Sequence, residues 1–171
     1  MMRHADSIVP SGALFAAVEP LLPQGQVLIA AICVALVIVC VLLHYEVLRI
    51  LSVLLARMTA LHRVRVLVLI LGLFATHTVE VWIYSAAYGF VDGKGALGHL
   101  VHSSVPTALG WLDYVYFSFV TYTTVGYGDF VPVGPIRFIA ATEALNGWVL
   151  LGWSASFTFL EMQRFWREPA R

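Results

Sequence analysis

The chain has 171 residues, of which 60% are hydrophobic and only 12% are charged, and its 10 basic and 10 acidic side chains give a formal net charge of zero. Soluble domains contain about 45–50% apolar and about 25% charged residues, so this chain has too little polar surface for a water-soluble fold. The same figures exclude a disordered chain, a nucleic-acid-binding domain and, with two cysteines, a disulfide scaffold.

Three apolar stretches are long enough to cross a bilayer, whose hydrocarbon core needs about 20 residues of helix. They run over residues 27–43, 66–88 and 136–160. The first leads into an amphipathic segment, 44–62, which we expect at the membrane surface. We therefore predict an all-α membrane protein with three transmembrane helices.

The basic residues indicate an orientation, because cytoplasmic connections carry an excess of Lys and Arg. Seven of the ten lie between the first two stretches or after the third: Arg49, Arg57, Arg63, Arg65, Arg164, Arg167 and Arg171. We therefore expect an outside N-terminus and a cytoplasmic C-terminus in the plasma (inner) membrane.

A shorter apolar patch, 111–124, lies between the second and third stretches and is too short to span. We expect a re-entrant helix here, with Asp113 able to cap its first turn and its C-terminal dipole directed at the membrane centre. The preceding glycine-rich stretch, 89–110, is predicted to be an exposed loop. A metal site at His99 and His102 in that loop is one interpretation, although no cysteine or carboxylate lies beside them.

The patch ends in a motif with a specific physical use: Thr123-Thr124-Val125-Gly126-Tyr127-Gly128-Asp129. Four copies of Thr-Val-Gly-Tyr-Gly can place rings of backbone carbonyls around one axis, and those oxygens replace the hydration shell of a potassium ion. The glycines supply backbone angles that other residues adopt reluctantly. Thr124 can add hydroxyl oxygens, while Val125 and Tyr127 turn their side chains outward.

These considerations predict two sets of site residues. The predicted K⁺ ligands are Thr124, Val125, Gly126 and Tyr127. The predicted supports of the loop are Gly128, Asp129 and Thr123, and the family resemblance described next implies the same role for Tyr116 and Val120.

With this motif, the sequence resembles the tetrameric potassium-channel family over about residues 64–162. The resemblance implies an outer helix, a pore helix, a filter and an inner helix in each of four subunits, arranged with C4 symmetry. It divides the chain into residues 1–63 (extracellular N-terminus, first transmembrane helix and amphipathic connection), the pore module at 64–162, and a short tail at 163–171. The first helix lies outside the resemblance.

The sequence departs from the family in two places. Val120 stands where some members have a Glu that pairs with the Asp after the filter. Tyr116 and Phe117 stand where many members have two tryptophans. We expect the Tyr116 hydroxyl to donate to Asp129 instead.

Polar residues inside the apolar stretches leave alternatives open. His77 and Glu80 share a helix face and form either a proton-sensitive pair or a structural contact with the pore helix. The resemblance implies a gating hinge at Gly147, beside Asn146, and the alternative is a point of tight helix contact. Glu143 either ties the inner helix to the pore helix or faces water. Three residues at helical spacing are expected to line an inner vestibule: Leu151, Ala155 and Thr158.

The sequence thus predicts a passive, potassium-selective channel, a homotetramer in the lipid bilayer with K⁺ as the transported ion and no cofactor or nucleic-acid partner. One alternative is a weakly selective cation channel, against which Tyr127 argues. Another is a non-conducting subunit that regulates a partner channel. An enzyme is disfavoured, because no nucleophile–base pair, metal cluster or phosphate loop is recognisable.

Overall fold

A computed structural model of the chain describes residues 23–58, 62–94, 97–104 and 108–167. This part of the chain contains four helices and two short strands, in the order α1 (Pro23–Arg57), α2 (His62–Val91), β1 (His99–His102), α3 (Trp111–Tyr122), β2 (Phe130–Val133) and α4 (Ile136–Arg167). The predicted helical architecture is confirmed in its main elements, but the all-α prediction is wrong because two short strands are present. The predicted extracellular N-terminus before residue 23 and the last four residues of the tail lie outside the described residues.

Two helices are long and apolar enough to cross a membrane, with candidate spans at Gly25–Arg57 and Arg63–Val91. Both leave large apolar side chains exposed, among them Val27 and Phe74. Helices that are apolar all round are typical of membrane spans. Helix α4 is about as long as these two helices but more polar, and it is not one of the two candidate membrane spans.

The first helix extends further than the sequence predicted. The span expected at 27–43 does not end before a separate surface segment, because α1 continues unbroken to Arg57. Its last third is buried against α2 in a cluster of five leucines: Leu48, Leu51, Leu55, Leu69 and Leu73. This packing explains why the amphipathic segment remains part of the helix.

The loop after α2 contains a strand pair that the sequence analysis missed. Strand β1 runs antiparallel to β2, with His99 opposite Val133 and His102 opposite Phe130. Side chains alternate between the two faces of a strand, so His99 and His102, three positions apart, point in opposite directions. The strand therefore does not present them as a metal-binding pair.

Asp92 fastens this loop to the helices. Its carboxylate accepts the backbone N–H of Leu100 at 3.0 Å and the Tyr114 hydroxyl at 2.5 Å. Burial and the hydrogen bond to Asp92 raise the pKa of Tyr114 to about 12. The hydroxyl therefore keeps its proton for Asp92 throughout the neutral range.

The short helix α3 packs between α2 and α4, while α1 packs against α2 and α4. At its start, the carboxylate of Asp113 accepts the backbone N–H of Gly110 at 2.7 Å. The expected role of Asp113 in the first turn is confirmed, although the residue occupies the third helical position and Gly110 is the cap. The C-terminal end of α3 leads directly into the Thr-Val-Gly-Tyr-Gly loop.

Candidate functional site

The loop after α3 has a positive φ at every second residue from Thr124 to Gly128. Thr124, Gly126 and Gly128 have φ values of +59°, +53° and +80°, whereas Val125 and Tyr127, between them, do not have positive φ. Alternation of left- and right-handed residues turns successive peptide planes so that their carbonyls lie on one side of the chain. A positive φ at every second residue is the pattern expected of a loop whose carbonyl oxygens form a row.

Hydrogen bonds from the end of α3 hold this loop in place. The backbone N–H of Gly126 donates to the Val120 carbonyl at 3.0 Å, and that of Thr124 donates to the Thr121 carbonyl at 2.9 Å. The Thr123 hydroxyl donates back to the Phe119 carbonyl at 2.7 Å. Val120 thus supports the loop through its backbone, a role that does not depend on its side chain.

Asp129, at the far end of the loop, is held from two sides. Its carboxylate interacts with the nearby Tyr116 hydroxyl, the pair that the sequence predicted in place of the family's Glu. Its backbone carbonyl accepts the N–H of Ser103 at 2.7 Å. The Tyr116 ring also packs edge-on against Phe130, with ring centroids 5.8 Å apart.

In a single chain, this loop is exposed on its side-chain face. Tyr127 is 73% exposed and Val125 is 53% exposed, and all residues from 123 to 128 fall in the exposed class. Large apolar side chains of α4, including Leu145 and Trp148, are exposed as well. Exposed apolar area of this extent marks a surface for protein or lipid contact.

Glu143 is a structural tie between three helices. Its side chain is fully buried, and its carboxylate accepts the Tyr88 hydroxyl from α2 and the Ser118 hydroxyl from α3, each at 2.5 Å. Asn146, one turn further along α4, donates to the Tyr84 hydroxyl at 3.2 Å. Of the two interpretations of Glu143, the tie to the pore helix is the one observed in the chain.

Gly147 lies where α4 crosses the end of α3. A Cβ atom added there would collide with the backbone carbonyl oxygen of Tyr122, and α4 runs through this position without a break. The close approach of the two helices therefore accounts for the glycine, which favours the tight-contact interpretation over a hinge.

We expect Gly147→Ala to destabilise the protein by about 1–3 kcal/mol, the usual cost of overpacking. Thermal unfolding of the purified protein in detergent measures the loss. Gly152→Ala is the matched control, because Gly152 lies on the same helix with nothing within 4 Å of its added Cβ. The thermal unfolding midpoint of Gly152→Ala should equal that of the wild type or lie slightly above it, because Ala favours helix over Gly. Equal midpoints for the two variants would contradict this account.

The predicted vestibule residues lie further along α4. Leu151 and Ala155 are exposed and Thr158 is half-buried in the single chain. A vestibule would lie between subunits and the structure describes a single chain, so the assignment of these residues to a vestibule remains a prediction.

His77 and Glu80 belong to a larger buried cluster than the sequence predicted. The Glu80 carboxylate contacts His77 Nδ1 at 3.1 Å and His44 Nδ1 of α1 at 2.9 Å, and it accepts the Tyr122 hydroxyl at 2.5 Å. Ser154 Oγ of α4 lies 3.0 Å from His77 Nε2 and 3.2 Å from His44 Nε2. The contact with the pore helix is therefore present, while the proton-sensitive role remains a prediction.

His44 and Ser154 were not predicted to belong to this cluster. The one signal for His44 was the polar break His44-Tyr45-Glu46 at the end of an apolar run. Nothing in the sequence singled out Ser154. Among the described residues, the group of His, Cys, Asp and Glu side chains close enough to hold a metal ion is His44, His77 and Glu80.

The fold is a mostly helical one with two candidate membrane spans and a short helix that leads into the Thr-Val-Gly-Tyr-Gly loop. Residues 64–164 match a family model described as ion channel. Because this match covers more than half of the chain, the protein belongs to the ion channel family, whose members are not in general enzymes. No curated protein matches the chain.

Proposed function

We propose that the protein is a potassium-selective channel that conducts K⁺ passively through a filter built from Thr124, Val125, Gly126 and Tyr127. The observation that carries the proposal is the alternating backbone of the loop, with positive φ at Thr124, Gly126 and Gly128. This conformation aligns the carbonyls of a Thr-Val-Gly-Tyr-Gly sequence, which is the arrangement that replaces the hydration shell of K⁺.

The elements around the loop favour the same function. Helix α3 ends at Tyr122, so the negative end of its dipole lies just before the loop and stabilises a cation there. The Tyr116–Asp129 contact and the Val120 carbonyl brace the two ends of the row of carbonyls. A braced filter keeps its cavity fixed around a dehydrated ion, which supports selectivity for K⁺ over Na⁺.

One chain supplies one carbonyl to each ring, so the proposal requires four chains around a common axis. The exposed Val125 and Tyr127 side chains and the exposed α4 residues Leu145 and Trp148 provide apolar surface for contact with neighbouring copies. We therefore propose a homotetramer with C4 symmetry in which the carbonyls face the axis.

In this assembly α4 is the third membrane-spanning helix. Its 32 residues extend about 48 Å at 1.5 Å per residue, more than the ~30 Å hydrocarbon core. Its polar residues Glu143 and Asn146 are buried against other helices of the same chain, so they need not face lipid. The distribution of basic residues favours an outside N-terminus and a cytoplasmic C-terminus in the plasma membrane.

Two other functions would use the same fold. A weakly selective cation channel would conduct Na⁺ as well as K⁺, and a regulatory subunit would conduct neither. The intact Thr-Val-Gly-Tyr-Gly sequence with its aligned backbone favours selective conduction over both.

Conduction and assembly can be tested with the full chain alone. We expect native mass spectrometry of the detergent-purified protein to give four chains, and K⁺-loaded liposomes containing it to release K⁺ faster than empty liposomes. A monomer or dimer would contradict the proposed assembly. A tetramer without K⁺ release would favour the regulatory subunit.

A further inference from the structure

The buried cluster around Glu80 joins α1, which lies outside the matched residues 64–164, to the other three helices. The side chains of His44 and Glu80 are fully buried and that of His77 is 16% exposed. Each imidazole directs Nδ1 at a different oxygen of the same carboxylate and Nε2 at the hydroxyl of Ser154. The two rings therefore share Glu80 as the partner of their Nδ1 atoms and Ser154 as the partner of their Nε2 atoms.

Ser154 constrains the hydrogen positions in this cluster. A hydroxyl has one hydrogen but two lone pairs, so Ser154 cannot donate to both Nε2 atoms but can accept from both. Its distances of 3.0 Å and 3.2 Å to the two Nε2 atoms are hydrogen-bond distances. Both contacts are satisfied when each ring carries its hydrogen on Nε2, or when Ser154 accepts from one ring and donates to the other, so rings protonated at Nε2 are one of two arrangements.

Neutral rings protonated at Nε2 have a bare lone pair at Nδ1. The two Nδ1 lone pairs then face the Glu80 carboxylate at 2.9 Å and 3.1 Å, and either a proton or a metal cation between these atoms removes their repulsion. The three potential ligand atoms lie within 4.8 Å of one another. The Tyr122 hydroxyl, 2.8 Å from His77 Nδ1, lies beside them as a further oxygen donor.

We propose that His44, His77 and Glu80 form a binding site for a transition metal ion of the Zn²⁺ class, with the Tyr122 hydroxyl beside its fourth position. Two imidazoles and one carboxylate are an established donor set for zinc. Imidazole nitrogen disfavours Ca²⁺ and Mg²⁺, which prefer oxygen ligands. Ser154 supplies the outer hydrogen bonds that orient metal-bound histidines.

A metal ion at this site would fix the position of α1 relative to α2. His44 is the only ligand from α1, whereas the other two belong to α2, so a bound ion crosslinks the two helices at the level where α3 ends. The proposal concerns metal binding and does not depend on whether the channel selects K⁺.

Metal analysis of the full chain tests the site. Protein purified in detergent from zinc-supplemented cells should carry one zinc per chain. The variants His44→Gln, His77→Gln and Glu80→Gln should each lose roughly tenfold or more of that metal. The matched control His99→Gln/His102→Gln removes two histidines of β1 and should keep the full amount. Wild-type protein with no more zinc than the three ligand variants would overturn the proposal.

A second measurement covers the case in which a ligand variant fails to assemble. Co²⁺ added to metal-free wild-type protein should give the strong visible absorption of tetrahedral cobalt with nitrogen and oxygen ligands, and Zn²⁺ should abolish it. Zinc should also raise the thermal midpoint of the wild type, because an ion that binds only the folded state stabilises it. A cluster that gives no cobalt spectrum and responds only to acid would hold a proton instead, and the proposal would be wrong.

Discussion

Gly126→Ala is expected to abolish selective K⁺ release from liposomes, whereas Gly93→Ala leaves it unchanged. Both glycines have positive φ, +53° and +71°, and neither has an atom within 4 Å of an added Cβ. The two substitutions therefore impose the same kind of backbone strain without a steric collision. They differ in position, since Gly126 lies in the proposed filter and Gly93 lies in the loop after α2.

The size of the effect follows from the number of copies. A left-handed conformation costs an L-residue about 1–2 kcal/mol, and in the proposed assembly four substituted positions surround one axis. The combined strain, about 4–8 kcal/mol, exceeds what a loop held by single hydrogen bonds such as Gly126 N–H to Val120 O can withstand. The carbonyls then turn away from the axis and the K⁺ site is lost.

K⁺ release and oligomeric state are measured together for Gly126→Ala, Gly93→Ala and the wild type. Gly126→Ala should remain tetrameric, because its defect is confined to the loop. If Gly126→Ala conducts like the wild type, or if Gly93→Ala loses conduction equally, the assignment of the loop as the filter is wrong.

The second large effect is expected at Glu143. Glu143→Ala removes the acceptor of the Tyr88 hydroxyl and one of two acceptors of the Ser118 hydroxyl, which also contacts the Val81 carbonyl. It also leaves a cavity where a fully buried side chain stood. We expect a loss of about 2–5 kcal/mol in the free energy of unfolding, from the unpaired hydroxyl and the cavity together.

Glu46→Ala is the matched control for Glu143→Ala. Glu46 is half exposed and pairs with Arg49 three residues along the same helix, and such surface pairs contribute little. A double variant, Glu143→Ala/Tyr88→Phe, should lose less than the sum of the single losses, because Phe removes the hydroxyl left unpaired. Additive losses, or equal losses at Glu143 and Glu46, would contradict the proposed tie.

The sequence was sufficient for features that depend on local chemistry. Apolar runs predicted the long helices, because a segment that is apolar on all sides has few other stable structures in a membrane. The glycine pattern predicted a non-helical loop directly after α3. The Tyr116–Asp129 contact was also predictable, because the resemblance to a known family aligned the two positions.

Features that depend on tertiary packing were not predictable in this way. The continuity of α1 to Arg57 results from leucines buried against α2, and periodicity alone does not say which neighbour covers an amphipathic face. The strands β1 and β2 have four residues each, too few for a pattern. His44, His77 and Ser154 are brought together from three helices, over separations of up to 110 residues.

Selective conduction of K⁺ through the Thr-Val-Gly-Tyr-Gly loop is tested by the reversal potential of the reconstituted full chain. With K⁺ on one side of the bilayer and an equal concentration of Na⁺ on the other, we predict a reversal potential far from zero, with the sign that opposes K⁺ flow. A current that reverses near zero would contradict the claim, because the pore would then pass both cations alike.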